Sequence, residues 1–154
     1  MNIITFDIED WFHLLDIQSL EKPDNWNSFE CRADYGTNFF LDLLEEKELK
    51  ATFFILGWTA TKFPNLIKKI KSQGHHIGTH SMNHQLIFNQ SFKEFQLDLQ
   101  DSIMHLEDLT QDKINSYRAP GFSLQNNTTW AFEILSELGI EIDASIFPAS
   151  RAHG

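Results

Sequence analysis

Short apolar runs alternate with longer amphipathic segments along this chain, and no other feature of the sequence constrains its fold as much. Five apolar runs predict strands at residues 2–8, 51–56, 75–79, 115–117 and 140–143, and four amphipathic segments predict helices at 37–47, 63–72, 92–109 and 128–138. Such alternation is typical of βαβ units, which build a parallel sheet covered by helices. Gly74 and Gly139 stand where a helix would end and a strand begin. The sequence therefore predicts an α/β fold.

Length and charge narrow the classes of partner. The 154 residues suit a single domain, and 12 Lys and Arg against 22 Asp and Glu give a formal net charge of −10. Nucleic acids and anionic membranes bind clustered positive charge, so neither is expected as a partner. No run approaches about 18 apolar residues, so no transmembrane segment is expected. The single Cys31 and the lack of a signal-peptide pattern at the start lead us to expect a cytoplasmic location.

Acidic residues follow the first predicted strand. Asp7, Glu9 and Asp10 are close neighbours in the chain, and in parallel α/β sheets the binding site forms at the carboxyl ends of the strands. Carboxylates this close repel one another unless a cation or an arginine lies among them. This cluster alone is compatible both with a cation site and with a solvated acidic loop. Residues 16–36, which follow it, are polar and irregular and predict a long loop.

Two histidines follow the third predicted strand. If a helical turn comes after Thr79, His80 and His84 lie on one face of it, close enough for two imidazoles to bind one metal ion. Two histidines, one carboxylate and open positions for water suit a catalytic Zn²⁺ or a related divalent ion. Surface histidines with this spacing are also common, so the prediction depends on a carboxylate from a neighbouring strand end.

An arginine follows the fourth predicted strand. Arg118 precedes a turn that contains Pro120 and Gly121. Its planar guanidinium could bind a carboxylate at a neighbouring strand end and fix the orientation of that carboxylate. An ordinary surface ion pair is the alternative.

Taken in order, these segments resemble the motifs of the polysaccharide deacetylase family, the NodB-homology domain of carbohydrate esterase family 4. The resemblance covers essentially the whole chain and rests on Thr5-Phe6-Asp7, on His80-Ser81-Met82-Asn83-His84 and on Arg118-Ala119-Pro120-Gly121. The wording Asp-Ile-Glu-Asp-Trp-Phe-His and Tyr-Arg-Ala-Pro-Gly-Phe-Ser further resembles the bacterial subgroup associated with exopolysaccharide and surface-glycan biosynthesis.

The resemblance implies a fold and a reaction. The fold would be a distorted (β/α)₇ barrel of the NodB type, of which about five βα units are present here. The reaction would be metal-assisted hydrolysis of the N-acetyl group of an amino sugar, so the partner would be an N-acetylated glycan or a glycan precursor. The cofactor would be a divalent metal, Zn²⁺ by preference, with Co²⁺ and Ni²⁺ also compatible.

The same resemblance implies metal ligands. His80 and His84 would bind the ion. Glu9 would be the third ligand, because it returns to the same side of an extended strand as Asp7, and Asp10 is the alternative if the strand turns early.

Catalytic and substrate-binding roles follow in the same way. Asp7 would be the general base, and Arg118 would orient it. The turn that contains Gly121 would offer a backbone N–H to the oxyanion. Trp11 and Phe122 each follow a catalytic-type motif directly and are expected to contact the sugar.

One part of the family pattern does not match. Residues 1–154 would form a NodB-homology domain truncated at the C-terminus, since the family's last motif, which carries a general-acid histidine, has no counterpart. His153 follows the fifth strand too closely to be assigned this role, and His13 lies near the acids without a supporting motif. An incomplete barrel would leave an apolar side open, which a second copy of the chain could cover in a homo-oligomer.

Two alternative functions stay open at this point. An allantoinase-like amidohydrolase would use the same scaffold on a small amide, and substrate profiling separates it from a deacetylase. A catalytically incomplete remnant would bind metal or glycan without releasing acetate.

Overall fold

The chain folds around a parallel sheet whose five strands lie side by side in sequence order. The computed structural model describes residues 3–15, 17, 20 and 23–146. The strands are β1 (Thr5–Ile8), β2 (Thr52–Ile55), β3 (His76–Thr79), β4 (Ser116–Tyr117) and β5 (Ile142–Asp143). Each pairs in parallel with the next. The predicted α/β fold and the five predicted strands are confirmed, although every strand is shorter than its apolar run.

Five helices connect and cover the strands. They are α1 (Ala33–Glu46), α2 (Gly57–Lys62), α3 (Pro64–Ser72), α4 (Phe92–Thr110) and α5 (Ala131–Glu137), and 3₁₀ turns form at Pro23–Ser28, Ile87–Asn89 and Pro120–Phe122. Gly74 and Gly139 adopt positive φ angles of 76° and 79° where helices give way to strands, as predicted.

Two predictions about the helices are wrong. Helix α1 starts at Ala33, inside the segment predicted as loop, because its first N–H groups are bonded by a carboxylate far upstream in the chain rather than by a neighbouring side chain. Helix α2 was not predicted at all. It has only six residues and ends just before Pro64, which starts α3, and so short a segment shows too little periodicity to be recognised.

The apolar side chains form two clusters. The larger one packs the helices onto the sheet and contains Phe53, Ile55, Ile67, Leu99 and Leu106 among its fully buried members. The smaller one lies beyond the carboxyl end of β1 and consists of Phe12, Leu20, Trp26 and Leu56, with Phe29, Cys31 and Trp58 packed against it. The second cluster gives the irregular segment after β1 a core of its own, which fixes the residues beside the strand ends.

Some apolar side chains remain outside both clusters. Ile3 before β1 and Ile142 and Ile146 around β5 are each more than half exposed. Among the described residues, no helix combines the length and the apolar composition that crossing a bilayer requires.

Candidate metal centre and active site

Three side chains converge beyond the carboxyl ends of β1 and β3. One ligand atom from each of Glu9, His80 and His84 lies within 4.8 Å of the other two. Glu9 Oε2 and His84 Nε2 are 2.5 Å apart, and both atoms are buried with no further hydrogen-bond partner within the described part of the chain. Two buried polar atoms whose close partner is each other are an arrangement that a shared cation would satisfy.

The tautomer of His80 is set by the next strand. His80 Nδ1 lies 2.8 Å from the carbonyl oxygen of Arg118. Because a carbonyl only accepts, Nδ1 must carry the proton and donate it, which leaves the Nε2 lone pair free for a metal ion. Metal-binding histidines are usually held by such a bond.

Burial and mutual charge shift the pKa values of His80 and Glu9 toward the protonation states that a metal requires. Burial lowers the pKa of His80, and the neighbouring His84 lowers it further, so the ring is neutral. Burial alone would raise the pKa of Glu9, but the hydrogen bonding and charge of His84 and the charge of His80 outweigh it, so this pKa is lowered. Neutral imidazoles and an ionised carboxylate are the forms that bind divalent cations.

The segment that carries both histidines is a loop and not the helical turn that their spacing suggested. Ser81 and His84 adopt positive φ angles of 67° and 53°, which are unusual for residues other than glycine. These two left-handed residues bring the imidazoles together, with ring centroids 5.1 Å apart. The predicted convergence is therefore correct, but the predicted local structure is wrong.

Neighbouring elements hold this loop in place. The first N–H groups of α2 donate to it, Gly57 N to Ser81 O at 2.9 Å and Trp58 N to Met82 O at 3.1 Å. Gly57 must come very close, since a Cβ there would lie 2.2 Å from Met82 Sδ and 3.1 Å from Met82 Cα. The missed helix α2 is thus a support of the candidate metal centre.

A buried carboxylate on α4 supports the loop from the other side. Asp98 accepts hydrogen bonds from Met82 N at 2.8 Å, Asn83 N at 3.1 Å and Asn83 Nδ2 at 2.8 Å. Burial raises the pKa of Asp98, although these donors oppose the rise. Sequence reasoning missed this residue, because nothing in the pattern of an amphipathic helix indicates which of its polar side chains turns inward.

The predicted pair of Asp7 and Arg118 forms. Arg118 Nη1 donates to Asp7 Oδ1 at 2.8 Å and Nη2 donates to Thr5 Oγ1 at 3.0 Å. Nε donates to Ala144 O at 3.3 Å, and the guanidinium lies 4.3 Å from the centroid of the Phe54 ring. Arg118 therefore grips only one oxygen of Asp7 and is itself fixed from several sides.

Asp10 is placed away from the metal centre. Its Oδ2 accepts the backbone N–H groups of Arg32 at 2.8 Å and Ala33 at 3.0 Å, and its Oδ1 accepts that of Trp11 at 3.1 Å. The carboxylate thus caps the N-terminus of α1, where negative charge is favourable. The geometry therefore favours Glu9 over the alternative, Asp10, as the residue that would supply the third metal ligand.

The three predicted substrate contacts lie around this centre. Trp11 is half exposed, donates from Nε1 to Glu30 O at 3.0 Å, and lines a groove with Asp7 and Glu9. Gly121 has a positive φ of 60°, and the Phe122 ring lies 5.7 Å from the Arg118 guanidinium.

The N–H groups of Phe122 and Ser123 are bonded inside the turn, to Ala119 O and Pro120 O. These two are therefore not available as donors to an oxyanion. Gly121 N–H remains the predicted donor, and its role stays a prediction.

His13 and His153 are the other two histidines considered in the sequence as a possible general acid. His13 lies against the centre, with its ring 6.0 Å from that of His84. It is buried at 3% exposure, and burial, followed by the charge of His84, lowers its pKa to about 3. His153 lies outside the described residues.

The donor set suits a divalent cation. Two imidazole nitrogens and one carboxylate oxygen leave open positions for water and substrate, as catalytic zinc sites do, and the His84 nitrogen and the Glu9 oxygen among them are buried without a further partner in the described part of the chain. Glu9, His80 and His84 are therefore the residues that would hold the ion. The negatively charged Asp7 lies near enough for its charge to act on His80.

Comparison with known families decides the relationship. The sequence model of the family described as polysaccharide deacetylase matches residues 22–142. The chain belongs to the polysaccharide deacetylase family. As a member, it has relatives among bacterial enzymes that act on glycans.

A peptidoglycan-N-acetylglucosamine deacetylase of Bacillus cereus is 35% identical over 106 residues, which cover 66% of this chain and 49% of the relative. A peptidoglycan deacetylase of Helicobacter pylori is 27% identical over 126 residues, which cover 82% of this deacetylase-family chain and 42% of the relative. The chain thus spans about half the length of these curated relatives.

Solved structures share the fold of this polysaccharide deacetylase family member. The structure of a polysaccharide deacetylase homologue from Mycobacterium smegmatis superimposes with a TM-score of 0.78 at 24% sequence identity. The superposition covers 94% of this chain and 50% of the Mycobacterium smegmatis chain. A peptidoglycan N-acetylglucosamine deacetylase in complex with a hydroxamate superimposes with a TM-score of 0.67 at 25% sequence identity, over 92% of this chain and 54% of the deacetylase chain. A mutant, with restored activity, of a CE4 family pseudoenzyme from Bacillus anthracis superimposes with a TM-score of 0.70 at 20% sequence identity, over 92% of this chain and 43% of the pseudoenzyme chain. These likenesses confirm the expected NodB-type α/β architecture.

Proposed function

We propose that this member of the polysaccharide deacetylase family is a divalent-metal-dependent hydrolase that removes the acetyl group from N-acetylglucosamine units of a glycan. The observation that carries the proposal is the juxtaposition of two sites at one edge of the sheet. The cluster of Glu9, His80 and His84 lies beside Asp7, which Arg118 holds by one oxygen. The names of the relatives that match this chain support the choice of sugar.

A divalent cation held by the triad supplies positive charge that polarises the acetyl carbonyl and lowers the pKa of water. Zn²⁺ is our first choice of ion, because two imidazoles and a carboxylate are typical of catalytic zinc sites. Co²⁺ and Ni²⁺ suit the same donors.

Asp7 takes the proton from the attacking water in this proposal. Arg118 Nη1 occupies Oδ1, so Oδ2 is the oxygen that accepts the proton. The guanidinium is held in turn by Thr5 and by the Phe54 ring, so the carboxylate cannot rotate away. A positioned general base contributes roughly 10²–10⁴-fold to a rate.

Two further requirements of amide hydrolysis fall on other groups. The tetrahedral oxyanion needs a donor, for which the Gly121 N–H is proposed, and one such preorganised donor is worth about 3–4 kcal/mol in other enzymes. The departing amine needs a proton, and no described residue is assigned to deliver it. The glycan partner and its place in exopolysaccharide biosynthesis are likewise part of the proposal.

The test is acetate release after metal reconstitution. Substrates are chitooligosaccharides, N-acetylglucosamine conjugates and peptidoglycan fragments. We expect release by the wild type with Zn²⁺, none after chelation, and losses of at least about 100-fold in Asp7→Asn and His80→Ala.

Matched controls separate these losses from general damage. Asp42→Asn changes an exposed carboxylate of α1, and His105→Ala changes a histidine of α4 whose ring makes an exposed contact with Thr61. Both should retain wild-type release. Metal uptake without any acetate release would contradict the proposal and favour the binding remnant, and release of ammonia or acid from small cyclic amides instead would favour the allantoinase-like alternative.

A further inference from the structure

A cavity of about 260 Å³ opens beside the candidate metal centre, and His84 of that centre lines it. Its lining is His13, Leu14, Leu15, Leu20, Trp26, His84, Gln85, Leu86 and Asn89. Asp7 and Arg118 do not line it, so the proposed general base and the residue that orients it lie outside this space. The volume is many times the roughly 30 Å³ that one water molecule occupies in the liquid, so the cavity can hold a chemical group.

The polar group that matters most in this lining is the His13 imidazole. The backbone N–H of Asp10 donates to His13 Nδ1 at 2.8 Å. Because a backbone N–H can only donate, Nδ1 must keep its lone pair, and the single proton of the neutral ring lies on Nε2. His80 shows the reverse arrangement, with Nδ1 donating to a carbonyl.

This arrangement restricts what His13 can do. A ring with its proton on Nε2 has no free lone pair there, so His13 is excluded as a fourth metal ligand and as a general base. Delivering its only proton would leave an imidazolate, so it is not the general acid either. One role remains, which is to donate a hydrogen bond from Nε2.

That donor has no acceptor within the part of the chain that the structure describes. His13 Nε2 is buried and has no hydrogen-bond partner among the residues that the structure describes. The rings of Phe12, Trp26 and Trp58 surround the imidazole at centroid distances of 4.6, 4.3 and 5.2 Å, but they carry no acceptor oxygen. A buried N–H without an acceptor is disfavoured, which indicates that a ligand supplies one.

We infer that this cavity is a glycan subsite in which His13 Nε2–H binds a hydroxyl or carbonyl oxygen of the sugar next to the acetyl group that is hydrolysed. The leucines and Trp26 offer apolar surface, while His13, Gln85 and Asn89 offer polar groups. A pyranose ring, with apolar C–H faces and a polar edge, matches this mixture. The inference rests on the proposed function for the identity of the ligand.

Two substitutions at His13 distinguish the role of Nδ1 as an acceptor from the role of Nε2 as a donor. In His13→Asn, the side-chain oxygen can replace Nδ1 as the acceptor for Asp10 N–H, but nothing reaches the position of Nε2. In His13→Gln, the longer amide can place an N–H near the position of Nε2. Both variants are measured as the full chain with Zn²⁺ bound, by calorimetric titration with chitotetraose and by the kinetics of acetate release.

We expect His13→Asn to bind chitotetraose about tenfold more weakly, the size of one neutral hydrogen bond, with a matching rise in KM and little change in kcat. His13→Gln should stay within about threefold of the wild type. Zinc stoichiometry and affinity should be unchanged in both, because His13 is not a ligand. A purely structural role would instead lower the melting temperature and the zinc affinity together and leave KM alone.

A second pair of variants avoids the buried histidine. Leu14 lines the cavity and is about half exposed. Leu97 on α4 is about equally exposed and does not line the cavity. Leu14→Trp should fill the cavity and weaken chitotetraose binding by at least about tenfold, and Leu97→Trp should leave it unchanged.

The outcomes distinguish the two proposals. Binding of chitotetraose that His13→Asn weakens, without acetate release by the wild type, would overturn the proposed reaction and support the subsite. Acetate release with an unchanged KM in both His13→Asn and Leu14→Trp would overturn the subsite and leave the reaction standing. Failure of the wild type to bind chitotetraose would overturn the subsite as well.

Discussion

At the scale of single residues, two neighbouring carboxylates have opposite tasks. Glu9 faces two imidazoles at the candidate metal centre, whereas Asp10 accepts three backbone N–H groups and caps α1. The alternation of side chains along an extended strand indicated Glu9 from the sequence, because it lies on the same side as Asp7. The capping role of Asp10 could not be foreseen, since its partners lie more than 20 residues away in the chain.

The grip of Arg118 on Asp7 gives the first prediction. Arg118→Lys keeps the positive charge but cannot bond Asp7 and Thr5 together, so the carboxylate loses its fixed orientation. We expect kcat for acetate release to fall about 100-fold, with little change in zinc affinity. Arg32→Lys is the control, because its ion pair with Glu30 is exposed. Equal kcat values in Arg118→Lys and the wild type would show that Asp7 does not need this orientation.

At the scale of elements, strands and long helices could be predicted from the sequence, while short supports could not. Apolar runs and amphipathic periods are properties of a continuous segment, so the five strands and α4 stand out. The loop at His80–His84 depends on contacts from α2 and α4 that no local pattern encodes. Its two left-handed residues are stable only because those contacts hold them.

Asp98 gives a prediction about this loop. In Asp98→Asn, an amide NH₂ replaces one carboxylate oxygen and faces an N–H donor, so at least one of the bonds to Met82 and Asn83 is lost. We expect zinc affinity to fall about 10–100-fold, measured by competition with a chelator. Asp101→Asn, on the exposed side of the same helix, should leave the affinity unchanged. Equal losses in both variants would point to net charge as the cause.

Substituting alanine at two glycines should change the free energy of unfolding in opposite directions. Gly57→Ala places a Cβ against Met82 at the start of α2 and should destabilise the fold by about 1–2 kcal/mol. Gly36→Ala lies in α1 with nothing within 4 Å of the added carbon, so it should stabilise the helix by about 0.5–1 kcal/mol. Urea unfolding of the metal-free protein measures both. A stabilising Gly57→Ala would show that α2 and the loop are not in close contact.

At the scale of the whole molecule, the order of the strand-helix units could be predicted from the sequence. The burial of His13 beside the candidate metal centre could not. Successive strand-helix units place strands side by side, which predicts that the chemistry gathers at one edge of the sheet. The second apolar cluster, which buries His13 between aromatic rings, is built from the irregular segment after β1. Such a segment has no period from which its packing could be read.

The buried histidines predict how overall stability depends on pH. His13 and His80 have lowered pKa values in the folded chain and ordinary values near 6.5 when unfolded. The unfolded chain therefore binds more protons below pH 6.5, and stability falls as the pH drops from about 6.5 toward about 3. Asp98 and Asp143 have raised pKa values and act in the opposite sense at more acidic pH.

We expect the metal-free protein to lose about 1 kcal/mol of unfolding free energy per buried histidine between pH 7.5 and 5.5, measured in urea. His13→Asn should show a smaller loss, because one of these groups is gone. An equal loss in the two proteins would mean that His13 is protonated in the folded state.

The bond between Arg118 and Asp7 joins residues 111 positions apart, and this separation has a consequence for synthesis on the ribosome. Chains emerge N-terminus first, and sequence-ordered strands can associate as they appear. The three candidate cation ligands have all emerged once His84 has left the exit tunnel, Asp98 follows with α4, and Arg118 arrives only after β4. A nascent chain would therefore carry all three candidate cation ligands well before the Arg118 carbonyl that orients His80 and the guanidinium that holds Asp7 are in place.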